Sequence, residues 1–264
     1  MDRNATPVAW ITGGATGIGR ACARELGQAG HTVVISGRRE AVLAEARDEL
    51  AADGIDVRAL ALDVADSAAV AAAAARIQGD FGRLDVLVCS AGINAPNRYW
   101  RDLTPDAFAR VSAVNLNGVA FCVAAVLPGM REAGAGAIVV VSSWAGWRYT
   151  GFTGAAYGAT KFGLAPLVES INDQEGRNGI RATLLCPGEV ATPILKSRPM
   201  PPPDEDIARM LVPEDVAAAM MFAVSMPPRA CINELVISPT WNRIYSGADD
   251  LTPPRQERQR DTRG

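Results

Sequence analysis

Residues 7–20 read PVAWITGGATGIGR: an apolar run of strand length, a glycine-rich turn, and the start of a helix predicted from about Ile18 to Ala29. Gly13, Gly17 and Gly19 stand at GxxxGxG spacing, a looser relative of the GxGxxG fingerprint. Small residues let a backbone approach a pyrophosphate, and a helix N-terminus supplies free amides and partial positive charge. Glycine also ends strands and makes plain turns. The cluster gains meaning from its position between the first strand and first helix of an alternating chain.

That alternation continues outward. HTVVISG (31–37) reads as a strand, EAVLAEARDEL (40–50) as a helix and DVRALALDV (56–64) as a strand. DSAAVAAAAARIQGDF (66–81) reads as a helix that Asp66 or Ser67 can cap, and LDVLVCSAG (84–92) as the fourth strand. Helices are predicted over 105–115, 118–133, 156–175 and 213–225, and strands over 136–143, 180–188 and 232–238. Near-continuous apolar strands separated by helices predict an α/β, doubly wound Rossmann fold. It should carry a mostly parallel sheet of about seven strands with helices on both faces. No linker of low hydrophobicity interrupts the chain. Residues 1–249 are therefore read as a single Rossmann-type domain with a proline-rich lid loop around 193–212, and 250–264 as a charged C-terminal tail.

The 264 residues are 48% hydrophobic and 21% charged, with a formal net charge of −3, enough apolar content for a sizeable core. No basic run suggests nucleic acid, and no apolar run in the sequence reaches the ~18 residues of a membrane span. The start, MDRNATPVAW, lacks the apolar stretch of a signal peptide, and a cytoplasmic protein is expected. The five cysteines at 22, 89, 122, 186 and 231 form no CxxC and no metal-ligand cluster, so no metal is expected. A small-molecule substrate is the remaining class of partner.

Cofactor choice is read at the end of the second strand, ISGRRE (35–40). An acid there binds a ribose 2′-hydroxyl, whereas arginine accommodates a 2′-phosphate. Ser36 and Gly37 occupy the acid's place, followed by Arg38 and Arg39 at a helix start, where positive charge is mildly unfavourable without an anion. The stretch favours NADP(H) over NAD(H).

With a single histidine, His31, acid–base chemistry must fall elsewhere. AAYGATKF (155–162) sets Tyr157 and Lys161 at i and i+4, on one helix face. A free phenol titrates near ~10 and is a poor base at neutrality. A cation about 4 Å away at an effective dielectric near 20 contributes roughly 4 kcal/mol, about three pKa units. Lys161 beside an oxidised nicotinamide would supply that field.

Six segments together resemble the short-chain dehydrogenases/reductases: TGGATGIG (12–19), CSAG (89–92), Asn115, SSWAG (142–146), YGATK (157–161) and PGEVAT (187–192). They occur in the family's order and approximate spacing, and the likeness runs from about Pro7 to Pro239. It implies an enzyme that interconverts an alcohol and a ketone or aldehyde by hydride transfer. Tyr157 would be the proton donor or acceptor, and Lys161 would lower its pKa and bind the nicotinamide ribose. Ser143 would polarise the substrate oxygen; adjacent Ser142 also offers a hydroxyl, and the S-x-x-G pattern to Gly146 favours Ser143. Asn115 would hold a water in a proton relay. Cofactor contacts are implied for Gly13, Thr16, Gly17, Ile18, Gly19, Arg38, Arg39, Asp63, Val64, Ser90, Ala91 and Gly92, and for Pro187, Gly188, Val190 and Thr192. Dimers or tetramers are implied too, and the small residues around Tyr157 suit close helix packing. Cys89 and Ser90 depart from the family's frequent Asn-Asn, and Pro166 falls inside the Tyr157 helix.

WAGWRYTGFTGAA (144–156) places aromatics near Ser143. The expected substrate pocket is Ser143, Trp144, Arg148, Tyr149, Glu189 and Leu195, with Arg148 as a carboxylate anchor and Ile194, Leu195 and Met200 shielding the site. The end of the chain resembles the branch of the family acting on small 3-hydroxy acids and polar alcohols. The alternatives are an NAD(H) enzyme on an apolar ketone or alcohol, and a non-catalytic nucleotide-binding protein of the same fold.

Overall fold

The computed structural model describes residues 6–247 and residue 251. The tail expected over 250–264 lies outside the described residues except for Leu251. Seven strands, β1 (Val8–Thr12), β2 (Thr32–Gly37), β3 (Val57–Ala61), β4 (Val86–Cys89), β5 (Gly136–Val141), β6 (Ile180–Pro187) and β7 (Glu234–Ile237), form one sheet in the order β3-β2-β1-β4-β5-β6-β7. Every pairing is parallel. The chain builds outward from β1 to β3, then crosses to begin the other half at β4. That reversal leaves a crevice beyond the carboxyl ends of β1 and β4, where open α/β sheets bind ligands.

Alternate residues of each strand feed opposite faces. Trp10, Val34, Leu87 and Ile138 pack on one side, against α3 (Ser67–Phe81), α5 (Gly118–Ala133) and α8 (Leu164–Glu175). Ala9, Ile11, Val33 and Val88 pack on the other, against α1 (Gly17–Gln28), α2 (Glu40–Ala52) and α10 (Pro213–Val224). In the alanine-rich α3, Asp66 supplies the cap, its carboxylate accepting from the Ala68 and Ala69 amides. Val70, Ala73, Ala74 and Ile77 form its buried stripe.

Two helix boundaries differ from expectation. The segments predicted as two helices across 105–133 run continuously: α4 (Pro105–Ser112) passes through a π-helical turn, Ala113–Asn117, into α5. This stretch is also long and apolar enough to cross a membrane, with a mean hydropathy of 1.7 in its most apolar window. Val119, Cys122, Val123, Val126 and Met130 are instead buried in the core against the sheet. The helix predicted over 156–175 breaks at Gly163 into α7 (Ala155–Phe162) and α8. Pro166 has no N–H for the Phe162 carbonyl and its ring crowds that oxygen, so α7 ends at Phe162. The described residues also include the short α-helices α6 (Trp144–Trp147), α9 (Asp204–Ile207) and α11 (Arg243–Ser246).

Candidate active site

A cavity of about 400 Å³ opens at the crevice, bordered by residues that follow each of β1 to β6. Gly13, with φ +67, turns the chain out of β1, and a Cβ there would lie 2.9 Å from the Ala91 backbone. Gly17, with φ +52, opens α1 beside Thr192, while a Cβ on Gly19 would collide with the Gly13 carbonyl. Thr16 makes no side-chain cap and α1 has no acid in its first turn, so this helix start keeps its positive end for a ligand. Thr16 and Ile18 line the cavity with Gly13 and Gly17; Gly19 lies behind as packing.

At the adenine end expected for a dinucleotide, Arg38, Arg39, Asp63 and Val64 border the cavity. Ser36 does not: it is buried and accepts a 3.0 Å hydrogen bond from Trp10 Nε1. Of the two positions that could carry a ribose-binding acid, Ser36 is thus turned into the sheet, and Gly37 borders the cavity without a side chain. Arg38 Nη1 lies 4.0 Å from Asp63 Oδ2, both half exposed. A bound 2′-phosphate would meet two arginines and no acid from β2. Ser90, Ala91 and Gly92 form the middle of the wall, and Pro187, Gly188, Val190 and Thr192 the opposite side. Behind Cys89 and Ser90, the Thr12 Oγ1 accepts from the Ala91 amide at 3.3 Å and braces the loop. These features fit a nicotinamide dinucleotide: a glycine cradle, an uncapped helix start, and arginines at the distal end.

At the other end stand Ser143, Tyr157 and Lys161. Ser142 and Ser143 follow β5 and point differently. The Ser142 hydroxyl donates to the Lys161 carbonyl at 3.1 Å, and a Cβ on Gly146 would collide with it, which accounts for glycine at 146. The Ser143 hydroxyl shares the cavity wall with the Tyr157 phenol and accepts from the Ala145 amide at 3.2 Å. Lys161 is buried; its Nζ donates to the Val141 carbonyl at 2.8 Å and lies 5.7 Å from the Tyr157 ring centre. Burial pushes the ammonium down to about 8. Burial also raises the Tyr157 phenol, opposed by the Ser143 hydroxyl and the charges of Arg198 and Arg98. The spacing suggested Lys161 as the cation that lowers the phenol; in the structure the cations acting on it are Arg198 and Arg98 instead, and burial leaves the phenol above its ordinary value.

Asn115 lies wholly buried behind this group, in the π turn, and does not border the cavity. Its Oδ1 accepts from the Ile93 amide at 2.8 Å and its Nδ2 donates to the Ile93 carbonyl at 2.9 Å. Of the expected substrate pocket, Trp144, Glu189 and Leu195 line the cavity with Ser143. Arg148 and Tyr149 do not. Arg148 is exposed, its guanidinium 4.2 Å from the Trp147 ring centre, and Tyr149 is 89% exposed. The Trp144–Trp147 turn directs this segment outward before Phe152 returns to the wall. Ile194 borders the cavity, whereas Met200 faces outward. Phe152, one of the aromatics that the sequence places near Ser143, lines the cavity, and sequence reading missed Thr153 beside it as well as Arg98 and Arg198, which lie in segments without local motifs.

Comparison with known proteins agrees with this geometry. The family described as short chain dehydrogenase matches residues 7–201. A cis-4-hydroxycyclohexanecarboxylate dehydrogenase of Sinomonas cyclohexanicum is 38% identical, over 83% of this chain and 89% of its own. A 2-dehydro-3-deoxy-L-rhamnonate dehydrogenase (NAD(+)) of Sphingomonas sp. (strain SKA58) is 34% identical, over 84% and 90%. Among solved structures, a metagenomic short-chain oxidoreductase in complex with NADP superposes with a TM-score of 0.77, at 31% identity over 89% and 98% of the two chains.

Proposed function

Since this chain belongs to the short-chain dehydrogenase/reductase family, enzymes that act on CH–OH groups with a nicotinamide cofactor, we propose that it interconverts a small hydroxy acid and its oxo acid with NADP(H). The observation that carries the reading is that Ser143 and Tyr157 line one cavity beside buried Lys161, at the opposite end from Arg38 and Arg39.

When bound, the nicotinamide accepts or supplies the hydride. The chain's residues handle the oxygen and its proton. Ser143 donates to the substrate oxygen as negative charge develops. Tyr157 delivers the proton in reduction and takes it in oxidation. Lys161, anchored on Val141, fixes the approach of the cofactor ribose and adds positive charge near the phenol. Asn115 holds the loop at Ile93. Gly92 and Thr192 bracket the nicotinamide end, and the segment around 193–212 acts as a lid carrying Leu195 over the site.

Preference for NADP(H) is supported by Arg38 and Arg39 and by the inward turn of Ser36. An acidic substrate is supported by the names of the two dehydrogenase relatives, both of which denote carboxylates. A homodimer or homotetramer belongs to the same reading, built on the α7 face with exposed Ala159 and Phe162, the latter 42% exposed. Purified protein given NADPH or NADH with a panel of ketones, aldehydes and oxo acids tests the proposal. Turnover of oxo acids with NADPH is expected. Cofactor binding without turnover across the panel would favour the non-catalytic alternative, and a preference for NADH would remove the cofactor assignment.

A further inference from the structure

The cavity wall near Tyr157 carries more positive charge than the catalytic group requires. Arg98, on the loop after β4, is 3% exposed, and Arg198, on the segment before α9, has a side chain 14% exposed. Both border the cavity, and both charges act on the Tyr157 phenol. Arginine keeps its charge at any working pH, and a buried cation is costly unless anions or hydrogen bonds face it.

Both guanidinium groups are braced by the protein. Arg98 Nε donates to the Ala95 carbonyl at 3.0 Å, and Arg98 packs directly against Gly154. Arg198 lies over the Phe152 ring, 4.9 Å from its centre, and its Nη1 donates to Glu189 Oε1 at 2.7 Å. Glu189 has a second cation, Arg243, with Nη1 at 3.4 Å, and Arg243 Nη2 also pairs with Asp206 at 3.0 Å. Arg243 therefore keeps Glu189 neutralised if Arg198 turns toward another anion. A guanidinium carries five N–H donors in a planar fork that matches a carboxylate. One Nη1 bond to Glu189 leaves the Nε–Nη2 edge of Arg198 for such a partner.

We propose that Arg98 and Arg198 together form the seat for the substrate carboxylate, with Arg198 as the principal anchor and Glu189, retained by Arg243, orienting it. The inference rests on the hydroxy-acid/oxo-acid reading above and assigns its specificity to two residues a hundred positions apart. It replaces Arg148, which stacks outside the cavity.

The test uses 4-oxopentanoate and its neutral equivalent of the same size, 4-oxopentanamide. Calorimetry on the enzyme with NADP⁺, which cannot reduce the ketone, reads binding alone. The acid is expected to bind at least tenfold more tightly than the amide. Arg198→Gln should weaken the acid by about 10- to 100-fold, the range for a charged hydrogen bond, and leave the amide within about threefold. Arg198→Lys should recover part of the loss, since charge returns without the fork. Arg98→Gln should act in the same direction, with Arg98→Lys as the variant that keeps the buried charge. Arg148→Gln should change neither ligand. Equal or undetectable binding of acid and amide by the wild type, or an acid preference that survives Arg198→Gln, overturns the proposal. Turnover with NADPH is measured separately. Tight, Arg198-dependent binding with no turnover of either ketone would remove the proposed reaction and leave the anion seat standing. Equal turnover of both, indifferent to Arg198, would do the reverse.

Discussion

The Asn115 side chain holds Ile93 as a neighbouring strand would, accepting from its amide at 2.8 Å and donating to its carbonyl at 2.9 Å. The π turn of Ala113–Asn117 widens the helix where this side chain is buried, and π turns within long helices frequently mark functional sites. The loop after β4, which passes the cavity at Gly92, is thereby fixed to the helix behind it. Asn115→Leu would leave both Ile93 groups unpaired. A loss of roughly 2–6 kcal/mol in urea unfolding is expected, from ~1–3 kcal/mol per buried unsatisfied group. A loss below ~1 kcal/mol would show that water or another side chain replaces the amide.

Tyr157→Phe keeps the ring and removes the proton. Turnover should fall by at least ~10²-fold, the lower end for a positioned acid or base, with NADPH affinity nearly unchanged. Near-normal steady-state turnover in this variant would withdraw the assignment.

Arg38→Asp reverses charge where a 2′-phosphate is expected. Fluorescence titration should show NADPH weakened by at least about tenfold, the loss of a charge-assisted bond plus new repulsion, with NADH little affected. An equal loss for both cofactors would make Arg38 structural.

Lys161 couples stability to alkaline pH. Its folded pKa is depressed from 10.5 to about 8 by burial. Below 8 both states are protonated and the fold carries a poorly solvated charge. Between about 8 and 10.5 only the unfolded chain holds the proton, so stability rises with pH, by up to ~1.4 kcal/mol per unit. Lys161→Met should remove that rise. Unfolding free energies of the two proteins at about pH 7.5 and 9.5 would then differ in slope; parallel profiles would contradict the depressed pKa.

Glu175 acts at the acid end. Hydrogen bonds from Arg131 first, and from Asn178, hold its carboxyl down at about 2 against an ordinary 4.5. The stabilisation is present above 4.5 and is lost as pH falls toward 2. Glu175→Gln should lower the melting temperature near neutrality and flatten its acid decline. An unchanged acid profile would show the pair to be too solvated to matter.

The sheet and the glycine-rich end of the cavity are legible in the sequence alone. Strands such as VVISG and AIVVV carry their burial in uninterrupted apolar runs, and Gly13, Gly17 and Gly19 announce a backbone that must turn and be approached closely. Tyr157 and Lys161 were legible because four residues on one helix is a local relation. Whatever depends on direction or on distant segments is set by the folded packing. Ser142 and Ser143 are chemically alike, and the fold separates them by committing one hydroxyl to the Lys161 carbonyl. Arg148 looked well placed because it follows Ser143 closely, yet the Trp144–Trp147 turn carries it to the surface. Arg98 and Arg198 belong to different loops with no pattern of their own, and they meet at Tyr157 because parallel strands bring all their carboxyl-end loops to one edge of the sheet. Periodicity records which side of an element is buried; which loops then face each other is set by strand order.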